Sequence, residues 1–237
     1  MLHTTRAIVL RTFRHGDRTV VLKALTEGFG MRAYMVRAGG KGGAAAAALQ
    51  PLSRLEMVVT EHVEREMHSV RELRVQRPYT QLHTDPVRGT LALFVQEVLY
   101  RTLREGSADE ALFAYVEEAL EAMDTATDIR CFPLVFLLGL SAHLGFRPEG
   151  PGPGEDRFDL KEGHFTRDRA AHDHTIGQPL SGHLAALLQA DLGSMGRLEV
   201  PAAHRRELLD HLLLYYRLHT ATSGELRSPG VLHQVLG

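Results

Sequence analysis

The sequence predicts an α+β protein, with a five-stranded OB-fold barrel at the amino terminus followed by an all-helical domain. Two observations support this: apolar residues alternate with period two through the first 77 residues, and they recur with period 3.6 after Pro78. A length of 237 residues suits one or two globular units. We therefore expect a barrel domain over residues 1–80 and a helical domain over residues 81–237, with a loop and hairpin insertion at residues 146–180.

Five short segments have the composition of barrel strands. Five strands within about 75 residues, joined by turns and one longer glycine-rich connection at residues 39–50, fit a small closed barrel. The segments are Arg6–Phe13, Arg18–Thr26, Met31–Arg37, Leu55–Thr60 and His68–Val75.

The later part of the chain has the apolar spacing of amphipathic helices. Apolar faces run from Leu91 to Leu103 and from Leu112 to Met123. A third helix, from Asp128 to Gly145, is apolar on nearly every side, which predicts that it is the buried centre of the helical domain. After it we expect a loop at residues 148–154, a hairpin at Phe158–Phe165, and helices at Ser181–Asp191 and Pro201–His219.

The net charge of -2 hides an asymmetry. Residues 1–80 carry a balance of +6, and residues 81–237 carry -8. A basic unit joined to an acidic one favours a polyanionic partner for the barrel, although a chance fluctuation on a solvated surface is an equal alternative. The start of the chain lacks the apolar core of a signal peptide, and the stretch Leu134–Leu144 is too short to cross a bilayer, so we expect a cytoplasmic protein.

No catalytic motif is recognisable. The glycine-rich loop lacks the spacing of a phosphate-binding loop, no Gly-x-Ser-x-Gly elbow is present, and the single cysteine, Cys131, opens the apolar helix. We therefore expect no enzyme and no cofactor. A weaker alternative, a metal-dependent hydrolase, would use four late histidines that lack paired ligand spacing: His164, His172, His174 and His183.

Basic residues interleaved with aromatic ones on the predicted strands point to nucleic acid. Cations follow the phosphates of a single strand, and aromatic faces stack on its bases. The candidate DNA-binding residues are Arg11, Arg14, Lys23, Arg32, Tyr34, Arg37 and Lys41.

Several segments resemble, in order, those of the RecO family of recombination mediators. The barrel segments are Ala7–Arg11, Leu25–Gly30, the glycine-rich loop and Ala48–Leu52. The later ones, Leu137–Phe146, Phe158–Phe165 and Leu213–His219, are similar to the family's central helix and carboxy-terminal part, so the resemblance covers nearly the whole chain.

The resemblance implies a non-enzymatic protein of the bacterial cytoplasm and nucleoid. Such proteins bind single-stranded and duplex DNA, anneal complementary strands and, with RecR, load RecA onto DNA coated by single-strand-binding protein (SSB). It also implies that the acidic SSB tail docks on the helical domain, where we expect Arg130 or Arg206 to anchor it. The alternative is a protein-interaction adaptor that does not touch DNA.

The sequence departs from the family pattern in two ways. Many relatives hold zinc with paired Cys-x-x-Cys motifs, but residues 146–176 contain no cysteine, which implies a zinc-free insertion without a metal site. The loop after the third strand is often strongly basic in relatives, whereas here it offers only Lys41.

Overall fold

A computed structural model describes residues 1–16, 19–37, 48–61 and 67–220. It divides into two compact units. The barrel unit comprises residues 1–85 and 92–114, and the helical unit comprises residues 86–91 and those from Tyr115 onward.

The barrel unit confirms the predicted closed five-stranded barrel and, with the helices that follow, the α+β class. The strands lie in the order β1-β2-β3-β5-β4 around the barrel, with β3 and β5 parallel and the other pairs antiparallel. Their bounds are β1 Leu2–Arg14, β2 Thr19–Thr26, β3 Gly30–Arg37, β4 Arg54–Thr60 and β5 Met67–Val75.

Alternating apolar residues fill the inside of the barrel. A bulge between Val9 and Arg11 shifts the register of β1 at the point where Leu52 and Ser53 bond to Val9 (2.7 and 3.1 Å). The bulge re-aims the end of β1, and this sets which of its arginines face outward. The core includes Ala7, Val9, Leu22, Ala24, Tyr34, Val36, Leu55, Met57 and Val59.

Residues 92–114 belong to the barrel unit, although a domain boundary at residue 80 would place them in the helical domain. The Gln96 side chain donates to the Leu10 carbonyl (2.5 Å), and the backbone of Glu105 forms a bridge with Met31 on β3. The outward residues Leu25, Met31 and Ala33 are apolar and buried, so this segment covers a face that water would otherwise contact.

The helical elements are α1 Pro86–Thr102, α2 Glu110–Thr125, α3 Phe132–His143, α4 Leu180–Leu188 and α5 Ala202–His219. Nine of the twelve residues of α3 are buried, as its apolar composition predicts. In the helical unit, the Tyr216 hydroxyl donates to the Leu137 carbonyl (2.5 Å), which ties α5 to this central helix.

The insertion contains a small antiparallel sheet in the order β7-β6-β8, formed by β6 Arg157–Asp159, β7 His164–Thr166 and β8 Thr175–Ile176. Its centre is aromatic, because the rings of Phe158 and Phe165 meet edge to face with centroids 5.0 Å apart. Nowhere in the described ranges do three His, Cys, Asp or Glu side chains group to hold a metal ion. None of the helices described is long and apolar enough to cross a membrane.

Candidate nucleic-acid interface

One outward row of side chains runs across β1, β2 and β3. Phe13 lies opposite Val21, which lies opposite Met35, and Arg11 lies opposite Lys23 in the adjacent row. These residues have the opposite parity to the buried core residues, so they point away from the barrel interior.

Half of this outward face is open and half is covered. Phe13 and Met35 are 38% and 37% exposed, whereas Met31 and Ala33, on the same face of β3, are each only 6% exposed. On β5, Met67 pairs with Ala33 of the covered half but is itself 42% exposed. Contiguous exposed apolar side chains of this kind mark an interaction surface.

Arg11 is the cation most firmly positioned on the open half. Its guanidinium lies 4.9 Å from the centroid of the Phe13 ring and 5.0 Å from that of Tyr100 in α1. Arg11, Arg14 and Arg37 are exposed, and none of the three has an ion pair with a described residue. Stacking uses the guanidinium face and leaves its N–H edge available to an anion.

Lys23 lies on the same outward face, but its ammonium group is already ion-paired with a carboxylate. Its Nζ is 2.8 Å from an oxygen of Glu105, within the barrel unit, and the side chain is 29% exposed. A phosphate at this position would have to displace Glu105, so Lys23 offers less free charge than Arg11 or Arg37.

The two candidate arginines on β3 differ in their surroundings. Arg37 is exposed on the outward face, opposite Thr19, whereas Arg32 is half-buried and shares the parity of the core residue Tyr34. Five residues of extended chain separate them by roughly 17 Å. Arg14 lies opposite Val20 and so has the inward parity, but it is exposed at the end of β1.

Tyr34 requires a correction. Its side chain is 0% exposed in the barrel core, and its hydroxyl donates to Glu61 (3.0 Å). Burial raises the pKa of this phenol well above its usual value, and the negative charge of Glu61 raises it further. A ring enclosed on all sides cannot stack on a base, so Tyr34 belongs to the barrel core rather than to a DNA surface. Lys41 lies outside the described residues.

The two arginines expected to anchor an acidic tail have different surroundings in the helical unit. Arg130 is held by Asp128, with an Nη2–Oδ2 distance of 2.5 Å, and this guanidinium lowers the pKa of the Asp128 carboxyl. Arg206, in the first turns of α5, is exposed and has no ion pair with any residue described. Arg206 is therefore available to pair with a carboxylate of the tail, whereas Arg130 would first have to release Asp128.

The helical unit also contains a cavity of about 230 Å³ between α2, α3 and α4. Val135, Leu138 and Leu187 line its apolar wall, and Arg147 contributes a cation whose Nη2 donates to the Leu188 carbonyl (2.9 Å). The carboxylates of Glu118 and Asp191 also line the cavity. The sequence pattern did not single out Arg147, because it lies outside any helix and its position depends on how the helices pack.

The late histidines do not assemble a catalytic or metal site in the described part of the insertion. His172 Nε2 lies 3.3 Å from the Asp159 carboxylate, and the His172 and His174 rings are 5.9 Å apart. Asp159 also accepts from the backbone N–H groups of Lys161 and Glu162, so it serves the turn between β6 and β7. His183 instead faces His204, with ring centroids 5.0 Å apart.

Comparison with known proteins identifies the family. A model described as "Recombination protein O N terminal" matches residues 1–79, and one described as "Recombination protein O C terminal" matches residues 83–227. Three curated relatives named DNA repair protein RecO also match. That of Christiangramia forsetii is 31% identical over 240 residues, with 100% of both chains covered. Those of Azobacteroides pseudotrichonymphae and Porphyromonas gingivalis are 27% and 29% identical, with 99% and 98% of both chains covered. The chain belongs to the RecO family of DNA repair proteins.

Proposed function

We propose that this protein is a non-enzymatic recombination mediator that binds single-stranded DNA on the open outward face of β1, β2 and β3. The observation that supports this most directly is the combination on that face of exposed Arg11 and Arg37 with exposed Phe13 and Met35. The arginines would neutralise phosphates and release counterions, and the apolar side chains would contact base faces.

This mode of binding also suits strand annealing. Contacts to phosphates and base faces leave the Watson–Crick edges of a bound strand free to find a complement. Family membership supports the further steps that we propose, namely binding of duplex DNA, action with RecR, and loading of RecA onto SSB-coated DNA in the bacterial cytoplasm and nucleoid.

The first test measures binding of the full chain to a fluorescent oligo-dT by anisotropy over a range of salt concentrations. Replacing Arg11 and Arg37 by alanine removes two phosphate contacts, so the log–log salt slope should become shallower by about 1.4. The control double variant, Arg74→Ala with Arg77→Ala, removes two exposed arginines at and beyond the end of β5, of which Arg74 is ion-paired with Glu56. Equal slopes in the two double variants would contradict the assignment.

We further propose that the acidic SSB tail docks on the helical unit. Arg130 and Arg206 are the expected anchors, and the cavity beside Arg147 offers an apolar pocket to a terminal aromatic side chain. A synthetic tail peptide should bind with a Kd of roughly micromolar order. The anchor is identified by three single charge reversals, Arg130→Glu, Arg206→Glu and Arg147→Glu. The affinity of each variant is measured for the peptide and for oligo-dT. A variant at the anchor binds the peptide more weakly and binds oligo-dT with wild-type affinity.

The mediator role is tested by annealing of SSB-coated complementary strands, with and without the protein. The protein should accelerate annealing, and the Arg11→Ala, Arg37→Ala double variant should not. A protein that bound SSB and RecR but no oligonucleotide would instead be an adaptor, and the DNA-binding proposal would be wrong.

A further inference from the structure

The open face of the barrel is bordered by an aromatic ring that does not come from a barrel strand. Tyr100 lies near the end of α1, in the part of that helix that belongs to the barrel unit, and its side chain is half-buried. The guanidinium of Arg11 lies over the Tyr100 ring as well as over the Phe13 ring. One cation is therefore shared between a strand residue and a helix residue.

We infer that Tyr100 is a stacking position for an unpaired base, so that a bound single strand continues from β1–β3 onto α1. This inference rests on the proposed function. A phosphate bound by the N–H edge of Arg11 would have two aromatic rings beside it, each within about 5 Å of the same guanidinium. Because both rings already hold Arg11 in place, little side-chain freedom is lost when the phosphate binds.

The contrast with a second tyrosine of the barrel unit supports a ligand-binding role. Tyr79 carries Arg54 in a similar way, at 4.4 Å from the ring centroid, but Arg54 is only 7% exposed and the Tyr79 hydroxyl donates to the Leu52 carbonyl (2.7 Å). That pair serves the interior. Tyr100 holds an exposed arginine instead, and its hydroxyl makes no hydrogen bond to a described residue.

The neighbouring surface also suits a nucleic acid strand. Arg11 has no carboxylate partner among the described residues, and exposed Phe13 and Met35 continue the surface across the barrel. Duplex DNA keeps its bases stacked on each other, so only an unpaired base can use the Tyr100 ring. The extension of the site onto α1 should therefore favour single strands over duplex.

The test uses the absence of tryptophan from the chain, which makes an introduced indole the sole tryptophan signal. In the full-length protein, the tryptophan fluorescence of the Tyr100→Trp variant should fall as oligo-dT is added. This decrease should follow the same binding curve as the rise in anisotropy of a labelled oligo-dT. The matched control Tyr79→Trp should not respond. In a second pair of variants, Tyr100→Leu should weaken oligo-dT binding by about ten-fold, whereas Tyr100→Phe should retain wild-type affinity. A duplex of the same length should cause little quenching.

The outcomes separate this inference from the proposed function. One outcome is that oligo-dT binding depends on Arg11 and Arg37, but oligo-dT does not quench the fluorescence of Tyr100→Trp and binds Tyr100→Leu with wild-type affinity. In that case the inference is wrong and the proposed function stands. If wild-type protein binds no oligo-dT, both are wrong. Thermal melting of all four variants checks folding, and weaker binding by a fully folded Tyr100→Leu variant supports the stacking role.

Discussion

Gly30 shows how a single residue determines the way the barrel is covered. Its φ of +68° lies in the left-handed region, and a Cβ there would be 2.5 Å from the Ser107 carbonyl oxygen and 2.8 Å from that of Gly106. The segment after α1 approaches the start of β3 this closely only because position 30 has no side chain. Both the backbone conformation and the close packing therefore require glycine at position 30, the last residue of the segment Leu25–Gly30.

We predict that Gly30→Ala destabilises the barrel unit more than Gly16→Ala does. Gly16 is a matched control, because its φ is also positive (+76°) but nothing lies within 4 Å of the position that a Cβ would occupy. The control should lose about 1–2 kcal/mol from the left-handed backbone alone, and Gly30→Ala should lose that plus the cost of displacing the 106–107 backbone. Urea denaturation measures both, and equal losses would show that the close approach has no energetic weight.

Tyr34 provides a second prediction at this scale. Tyr34→Phe removes the hydroxyl that donates to Glu61 while keeping the ring in the core. The free energy of unfolding should fall by about 0.5–1.5 kcal/mol, with no change in oligo-dT affinity. A loss of DNA affinity at unchanged stability would show that Tyr34 contributes to DNA binding.

At the scale of elements, the segment that follows α1 both covers and restrains the outward face. Glu105 contacts β3 through its backbone and β2 through its ion pair with Lys23. The covered half of the face is thus neutral, and the open half keeps its positive charge. Residues beyond the strands therefore decide how much of the barrel is available to a ligand.

We predict that Glu105→Gln strengthens oligo-dT binding. Without the carboxylate, Lys23 can contact a phosphate, which should steepen the salt slope by about 0.7. Glu56→Gln is the control, because it releases Arg74 from an ion pair between β4 and β5, away from the open face. Equal affinities of Glu105→Gln and wild type would mean that Lys23 does not contact the strand.

At the scale of the whole molecule, the two units carry opposite net charges: the barrel unit has 15 basic against 12 acidic residues (+3), and the helical unit has 12 against 17 (-5). A basic barrel suits a polyanion, whereas an acidic helical unit repels it and leaves a few arginines to recognise an acidic peptide. The net charge of -2 conceals this division.

Stability of the whole chain should fall as the solution becomes acidic. Burial lowers the pKa of His211 in α5 below its ordinary value, against the smaller raising effects of Glu207 and Asp210. The unfolded chain then binds more protons than the folded one below about pH 6.5, so the free energy of unfolding decreases there. His211→Gln should reduce this decrease in urea titrations at several pH values, whereas exposed His164→Gln should not. An unchanged pH profile in the His211 variant would contradict the assignment.

The sequence by itself determined the elements that depend on local pattern. Period-two alternation identified the five strands, because a strand half-buried in a barrel must alternate, and the all-round apolar composition of α3 marked it as a buried helix. The excess of arginine near the amino terminus indicated which part of the chain suits a polyanion. These properties are visible locally because each follows from the spacing of residues within one element.

Tertiary structure alone decided which of these side chains share a surface. The bulge after Val9 and the register of β1–β3 placed Arg11, Phe13, Met35 and Arg37 on one outward face and enclosed Tyr34 in the core. Tyr100 and Glu105 reached that face only because residues 92–114 pack with the barrel. A single sequence could not reveal this, since contacts between residues more than 80 positions apart depend on how elements pack and not on the pattern within any one of them.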